Sequence, residues 1–169
     1  RGYKNFELVV NGFARLTRDY PRLHLVLTGR PLSKSEKELL ANYGTEQRVT
    51  VMSDISDTVL AQLYRNARLF VYPSLYEGFG IPILEAFAQQ CPVVLSRASC
   101  FPEVAADAAE YFDATSADGL VSAMKRVLID DSHRHELTEK GTRRLSLFTW
   151  DETARRTEET YMKALADTE

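Results

Sequence analysis

The residues best suited to chemistry lie in one short stretch, Pro73-Ser74-Leu75-Tyr76-Glu77-Gly78-Phe79-Gly80-Ile81-Pro82-Ile83-Leu84-Glu85-Ala86. It follows Leu69-Phe70-Val71-Tyr72, an apolar run that reads as a strand closed by Pro73. Two glycines let the backbone turn tightly and approach a ligand, and Pro82 fixes where a helix begins. The free N–H groups around Gly80 and Ile81 then point at a sheet edge and make a site for an anion such as a diphosphate. Glu85 is expected in the first turn of that helix, where the ordinary role of a lone glutamate is to offset the helix dipole, worth about 0.3 to 1 kcal/mol. A carboxylate beside a phosphate-binding helix end also accepts hydrogen bonds from ribose hydroxyls in other nucleotide-binding α/β folds. Glu77 reads equally as a solvated loop residue or as a functional carboxylate, and the whole loop also reads as a simple cap on a sheet.

Other candidates are weaker. His24 sits within an apolar run and reads as a hydrogen-bonded core histidine. His133 and His135 share a helix at a spacing that puts them on different faces, which argues against a metal site. The two cysteines, Cys91 and Cys100, flank the apolar run Pro92-Val93-Val94-Leu95, which if extended holds them too far apart for a disulfide. Arg143-Arg144 and Arg155-Arg156 are dispersed surface charges with no assigned role.

The elements that must position these residues alternate along the chain. Asn5 reads as an N-cap for a helix in which Phe6, Val9, Val10, Phe13 and Leu16 recur at helical spacing until Tyr20-Pro21. Leu23 to Thr28 reads as a buried strand ending at Gly29, and Ser33 to about Tyr43 as a polar helix. Val49 to Met52 is a second strand, and Ser56 caps a helix whose Val59, Leu60, Leu63, Tyr64 and Ala67 form one face. Val93-Val94-Leu95 is a fourth strand and Glu110-Tyr111-Phe112 a weak fifth, followed by helices. The last of these opens with the capping box Thr149-Trp150-Asp151-Glu152. Strand-helix alternation implies an α/β fold, a Rossmann-like parallel sheet with helices on both faces, whose ligands bind at the carboxyl ends of the strands.

The 169 residues suit one domain. With 44% hydrophobic and 27% charged residues the chain is expected to fold, and a net charge of −3 gives no overall field for nucleic acid. There is no run of about 18 apolar residues and no signal-peptide pattern, so a cytoplasmic setting is expected. The start, Arg1-Gly2-Tyr3-Lys4-Asn5, enters a helical pattern at once, as though a partner segment preceded it.

Tyr72 to Ser96, YPSLYEGFGIPILEAFAQQCPVVLS, resembles the signature of the family 4 retaining glycosyltransferases, with two glutamates, Glu77 and Glu85, separated by seven residues. Tyr3-Lys4-Asn5-Phe6, Ser56 through Ala67, Phe101-Pro102-Glu103-Val104 and Trp150 also match, so the likeness covers essentially the whole chain. It implies the C-terminal, nucleotide-sugar-binding half of a two-domain GT-B enzyme, residues 1–169 forming a single domain without its first strand and without the N-terminal acceptor domain. The family pattern places Glu85 on the donor ribose, the amides of Gly78, Phe79, Gly80 and Ile81 on the diphosphate or sugar, Lys4 on the diphosphate and Glu77 near the donor sugar at the reaction centre. Gly29, Met52 and Ser53 are candidates for the base.

Three departures stand out. Arg1 is only three residues before Lys4, where the family has an arginine four or five before its lysine. Gln90 and Met52 stand where glycine is common, and the domain that supplies the acceptor site is missing, so a complete active site cannot form from this chain alone. No D-x-D sequence occurs, and glycosyltransferases that hold their diphosphate through a divalent metal typically rely on one, so a metal-free reaction is implied, and no cofactor is expected. The resemblance implies transfer of a hexose, mannose from GDP-mannose first and a UDP-hexose second, to a glycan or lipid-linked acceptor in polysaccharide biosynthesis, with peripheral contact at the inner membrane face. A non-hydrolysing nucleotide-sugar epimerase of the same architecture and a non-catalytic nucleotide-binding module are the alternatives.

Overall fold

A computed structural model of the protein describes residues 2–166. All its strands pair in parallel, joined by helical crossovers, but they form two sheets rather than one. β1 (Leu25–Thr28) pairs with β2 (Val49–Met52), and β3 (Phe70–Tyr72), β4 (Val93–Ser96) and β5 (Ala109–Phe112) form the other sheet in that order. The helices are α1 (Phe6–Asp19), α2 (Lys34–Asn42), α3 (Asp57–Asn66), α4 (Ile81–Ala88), α5 (Phe101–Ala105), α6 (Ala117–Ile129), α7 (Asp131–Leu145) and α8 (Trp150–Ala166).

β4 shows how the layers arise. Every one of its residues is buried, and because side chains alternate across a strand they serve two cores. Val93 and Leu95 join Tyr64, Ile83, Phe87, Phe101 and Val104 from α3, α4 and α5. Val94 joins Val9 and Leu16 of α1 and Leu120, Met124 and Val127 of α6 on the opposite face. The continuous apolar run thus marks a strand covered on both sides.

The division of the sheet lies between β1 and β3. Both pack on the α1 cluster, through Leu25 on one side and Val71 on the other, yet each hydrogen-bonds only to its outer neighbour. Their burial is correspondingly incomplete: Val26 is 44% exposed, and the three residues of β3 are only half-buried. The expected six-residue strand from Leu23 shortens to Leu25–Thr28, and His24, expected in the core, precedes it and is exposed.

Several caps differ from expectation for identifiable reasons. Asn5 flanks α1 with φ 53° and makes no side-chain cap; its amide instead donates to the carbonyls of Ala114 at 2.7 Å and Pro73 at 3.3 Å. Ser56 caps α3 as expected, accepting from Val59 N. Thr149 accepts from Glu152 N, but the carboxylate of Glu152 goes to Arg155 and Arg156 instead of closing the box. Those arginines are therefore engaged along α8, whose described side chains are all solvent-accessible. Arg144 donates to the carbonyls of Glu103 and Val104 and so ties α7 to α5. Among the described residues no helix is long and apolar enough to cross a membrane.

Candidate functional site

The connection from β3 to α4 is fixed by hydroxyls. Ser74, 1% exposed, accepts at its carbonyl from Ser96 Oγ at 2.5 Å and donates its own hydroxyl to Glu77 Oε1 at 2.8 Å. Ser99 donates to the Glu77 carbonyl at 2.7 Å and accepts from the Glu77 amide at 3.4 Å. The Cys100 thiol donates to the carbonyl of Phe79 at 3.1 Å. Burial and the neighbouring Glu77 carboxylate both push the Tyr72 hydroxyl well above its ordinary pKa, so it stays protonated facing that carboxylate. Glu77 is therefore held in place at both backbone and side chain, which a freely solvated loop residue is not.

Gly80 begins α4 with φ 95°. A Cβ there would lie 3.0 Å from Ile83 Cδ1 and 3.1 Å from Phe101 Cε1, so both the backbone angle and the packing select glycine. The turn leaves the amides of Gly78, Phe79, Gly80 and Ile81 without an acceptor among the described residues. Pro82 follows in the first turn of the helix and brings no N–H of its own. Four such donors at a helix start attract an anion.

Glu85 is the fifth residue of α4, in its second turn, and the first turn holds no acidic residue. This corrects the expected first-turn position, which Pro82 suggested because proline favours the very start of a helix and here sits one residue inside. Dipole compensation fades beyond the first turn, so the ordinary explanation of Glu85 loses force. Its half-buried carboxylate accepts from Tyr64 Oη at 3.2 Å.

Lys4 ends a short 3-10 turn, Gly2–Lys4. Its neighbours tie it to the same edge: the Tyr3 carbonyl accepts from Leu75 N at 2.7 Å, and Asn5 reaches Pro73. Its ammonium lies 5.9 Å from the centre of the Tyr3 ring. Arg1 lies outside the described residues. Gly29 and Met52 meet at the carboxyl ends of β1 and β2, where Gly29 N donates to Met52 O at 3.1 Å, with the half-buried Ser53 next in the chain. They belong to the other sheet and share no hydrogen bond with the Glu77 loop.

Gln90, at φ 56° just past α4, occupies a left-handed turn that glycine adopts without strain. Cys91 is buried, and desolvation pushes its thiol up to about 12; both cysteines are free. His133 bonds Glu110 Oε2 at 2.8 Å, and no group of three metal-ligating side chains gathers among the described residues.

Sequence reasoning missed the residues that hold the two glutamates. Tyr64 reads as one more residue of an apolar helical face, and Ser99 carries no signal because its partner lies 22 residues away. Ser74 follows Pro73 directly after a strand, and that position was the one available hint.

A profile described as "Glycosyl transferases group 1" matches residues 1–144. The O-antigen chain mannosyltransferase B of Escherichia coli is 39% identical over 113 residues, 66% of this chain and 30% of that protein. The MMP alpha-(1->4)-mannosyltransferase of Mycolicibacterium hassiacum is 36% identical over 156 residues, 90% of this chain and 38% of its own length. In structure, the sucrose-phosphate synthase of Thermosynechococcus elongatus superposes with a TM-score of 0.82 at 26% identity, covering 99% of this chain and 44% of that one. The chain thus spans about a third of the curated relatives it matches.

Proposed function

Because the chain belongs to the group 1 glycosyltransferases, we propose that it is the donor-binding half of a retaining GT-B enzyme. That enzyme transfers a hexose, mannose first, from a nucleotide diphosphate sugar to a glycan or lipid-linked acceptor. The observation that supports this reading is that residues 77–85 hold four amides, Gly78 to Ile81, without an acceptor among the described residues, together with two hydrogen-bonded carboxylates, Glu77 and Glu85. The amides and Lys4 hold the diphosphate, Glu85 the ribose and Glu77 the sugar, with Gly29, Met52 and Ser53 toward the base.

Opening the glycosidic bond builds negative charge on the leaving diphosphate. Fixed N–H donors and an ammonium aimed at that charge lower the barrier because they need no reorganisation as it forms. Glu77 faces the sugar as it acquires positive character. Retention then follows from acceptor attack on the face that the diphosphate leaves. The mannosyl preference rests on the two mannosyltransferase relatives, and GDP-mannose is the corresponding donor, with a UDP-hexose second.

The rest of the enzyme is proposed to supply what this domain lacks. A further strand between β1 and β3 would use their unpaired edges. An acceptor domain would cover Tyr3, Leu75, Tyr76, Phe79 and Ile81, exposed apolar residues that crowd the same edge. The reaction is placed in the cytoplasm, at the inner membrane face where the acceptor is lipid-linked.

Donor consumption and glycan extension by the intact protein test this reading, with and without a chelator and with Glu77→Ala. The proposal expects transfer that survives the chelator and is lost in the variant. Full activity of a correctly folded Glu77→Ala protein would contradict it, and epimerised donor without transfer would establish the epimerase alternative.

A further inference from the structure

We infer that Tyr64 is a positioning residue for donor binding: its hydroxyl holds one oxygen of Glu85 so that the other meets the ribose. The inference deepens the donor-site reading and rests on it. A carboxylate has two acceptor oxygens, and Tyr64 engages Oε2 at 3.2 Å, which leaves Oε1 for a ligand. Glutamate otherwise samples several rotamers whose freedom would be lost on binding. A donor that fixes the side chain beforehand removes that cost from the binding step.

Tyr64 suits this task. It lies near the end of α3, and helical side chains lean back toward the N-terminus, so a long ring near the end carries its hydroxyl up toward the start of the helix. The residue is 8% exposed. Burial, reinforced by the Glu85 carboxylate, raises its hydroxyl well above the ordinary pKa and keeps it a donor.

Its ring is also part of a fixed row. Tyr64 meets Phe70 edge-on at 5.2 Å, Phe70 lies 5.6 Å from Tyr72, and Tyr72 lies 4.8 Å from Phe101. The far end of the row, Phe101, is the ring against which Gly80 packs, and Tyr72 faces Glu77. One aromatic row therefore underlies Glu85, Glu77 and the anion-binding turn. Rigid support of this kind is what lets a binding group keep its geometry.

The test compares GDP with 2′,3′-dideoxy-GDP, and UDP with its dideoxy analogue, by calorimetry on the chain, Tyr64→Phe, Glu85→Gln and the double variant. The readout is the preference for the ribose form, which a purely structural role of Tyr64 would leave unchanged. The inference expects Tyr64→Phe to lower that preference about three- to tenfold, Glu85→Gln to lower it by about tenfold or more, and the double variant to match Glu85→Gln. Should the Phe variant fail to fold, Tyr64→Met removes the same donor from an apolar body of similar size. An unchanged preference in Tyr64→Phe, or equal weakening of both nucleotide forms, overturns the positioning role while a Glu85→Gln loss leaves the donor reading standing. An unaltered preference in Glu85→Gln, or no binding of GDP or UDP, overturns the ribose reading and this inference together.

Discussion

Replacing Gly80 with alanine should damage the fold and the site together, while the same change at Gly78 should not damage the fold. Gly80 has φ 95°, outside the range alanine adopts comfortably, and a left-handed backbone costs an L-residue about 1 to 2 kcal/mol. The added methyl would sit 3.0 Å from Ile83 Cδ1 and 3.1 Å from Phe101 Cε1. Ile83 and Phe101 are fully buried, so relief must come from rotating a packed side chain or shifting the loop, typically about 1 to 3 kcal/mol. The two terms together give a loss of about 2 to 5 kcal/mol, or roughly 5 to 15 °C in Tm for a domain of this size. At Gly78 a Cβ would meet nothing within 4 Å, so Gly78→Ala should stay within about 0.5 kcal/mol of the parent. Any loss of nucleotide affinity in Gly78→Ala then reports on how closely the backbone approaches its ligand. Urea titration and thermal melting measure both variants. A Gly80→Ala protein that melts with the parent, or a Gly78→Ala protein destabilised as much as Gly80→Ala, would refute the packing argument.

Gln90 lies at φ 56°, so Gln90→Gly should raise stability by about 0.5 to 1 kcal/mol through relief of left-handed strain, and a lowered Tm would show that its side chain contributes more than the backbone costs. In a thiol-reagent titration of the native protein, half-buried Cys100 should react first and Cys91, buried with its thiol pushed up to about 12, only on unfolding; equal rates would contradict the placement of Cys91. The Arg30 guanidinium, 2.7 Å away, and the Ser33 amide hold Glu36 at about 2 against an ordinary 4.5. A depressed carboxylate stabilises above its unfolded pKa and loses that contribution as pH falls through the folded one, so Glu36→Gln should cost up to about 1 kcal/mol at pH 7 after solvent screening, with the difference from the parent vanishing near pH 2. A difference that grew on acidification would reverse the sign and refute it.

The layer order and the turn that carries the candidate site were legible in the sequence because both rest on local signals. Val93-Val94-Leu95 is apolar without alternation, as a strand covered on both faces must be, and the spacing of Gly78, Gly80 and Pro82 announces a tight turn into a helix. Ser56, read as a cap, does cap its helix through a contact three residues along, and Ser33, read only as the start of a helix, proves to be a cap of the same kind. What stayed hidden depends on partners distant in the chain. Asn5 reads as a cap, yet its side chain is held by donating to the carbonyls of Pro73 and Ala114, 68 and 109 residues away. His24 looks buried because its neighbours are apolar, but β1 starts one residue later and pairs on one side only. Likewise nothing local distinguishes Tyr64 as the donor to Glu85 from Tyr64 as another apolar residue of α3.

The central question is whether the turn from Gly78 to Ile81 receives a diphosphate and whether Lys4 contributes to holding it. Calorimetric titration of this chain with GDP, GMP, UDP and UMP, repeated on Lys4→Ala, measures that directly. One diphosphate should bind at least about tenfold more tightly than its monophosphate, as expected for charge-assisted bonds worth about 1.5 to 3 kcal/mol, and Lys4→Ala should narrow the difference. Equal binding of mono- and diphosphates, or no binding by a folded chain, would contradict the diphosphate reading.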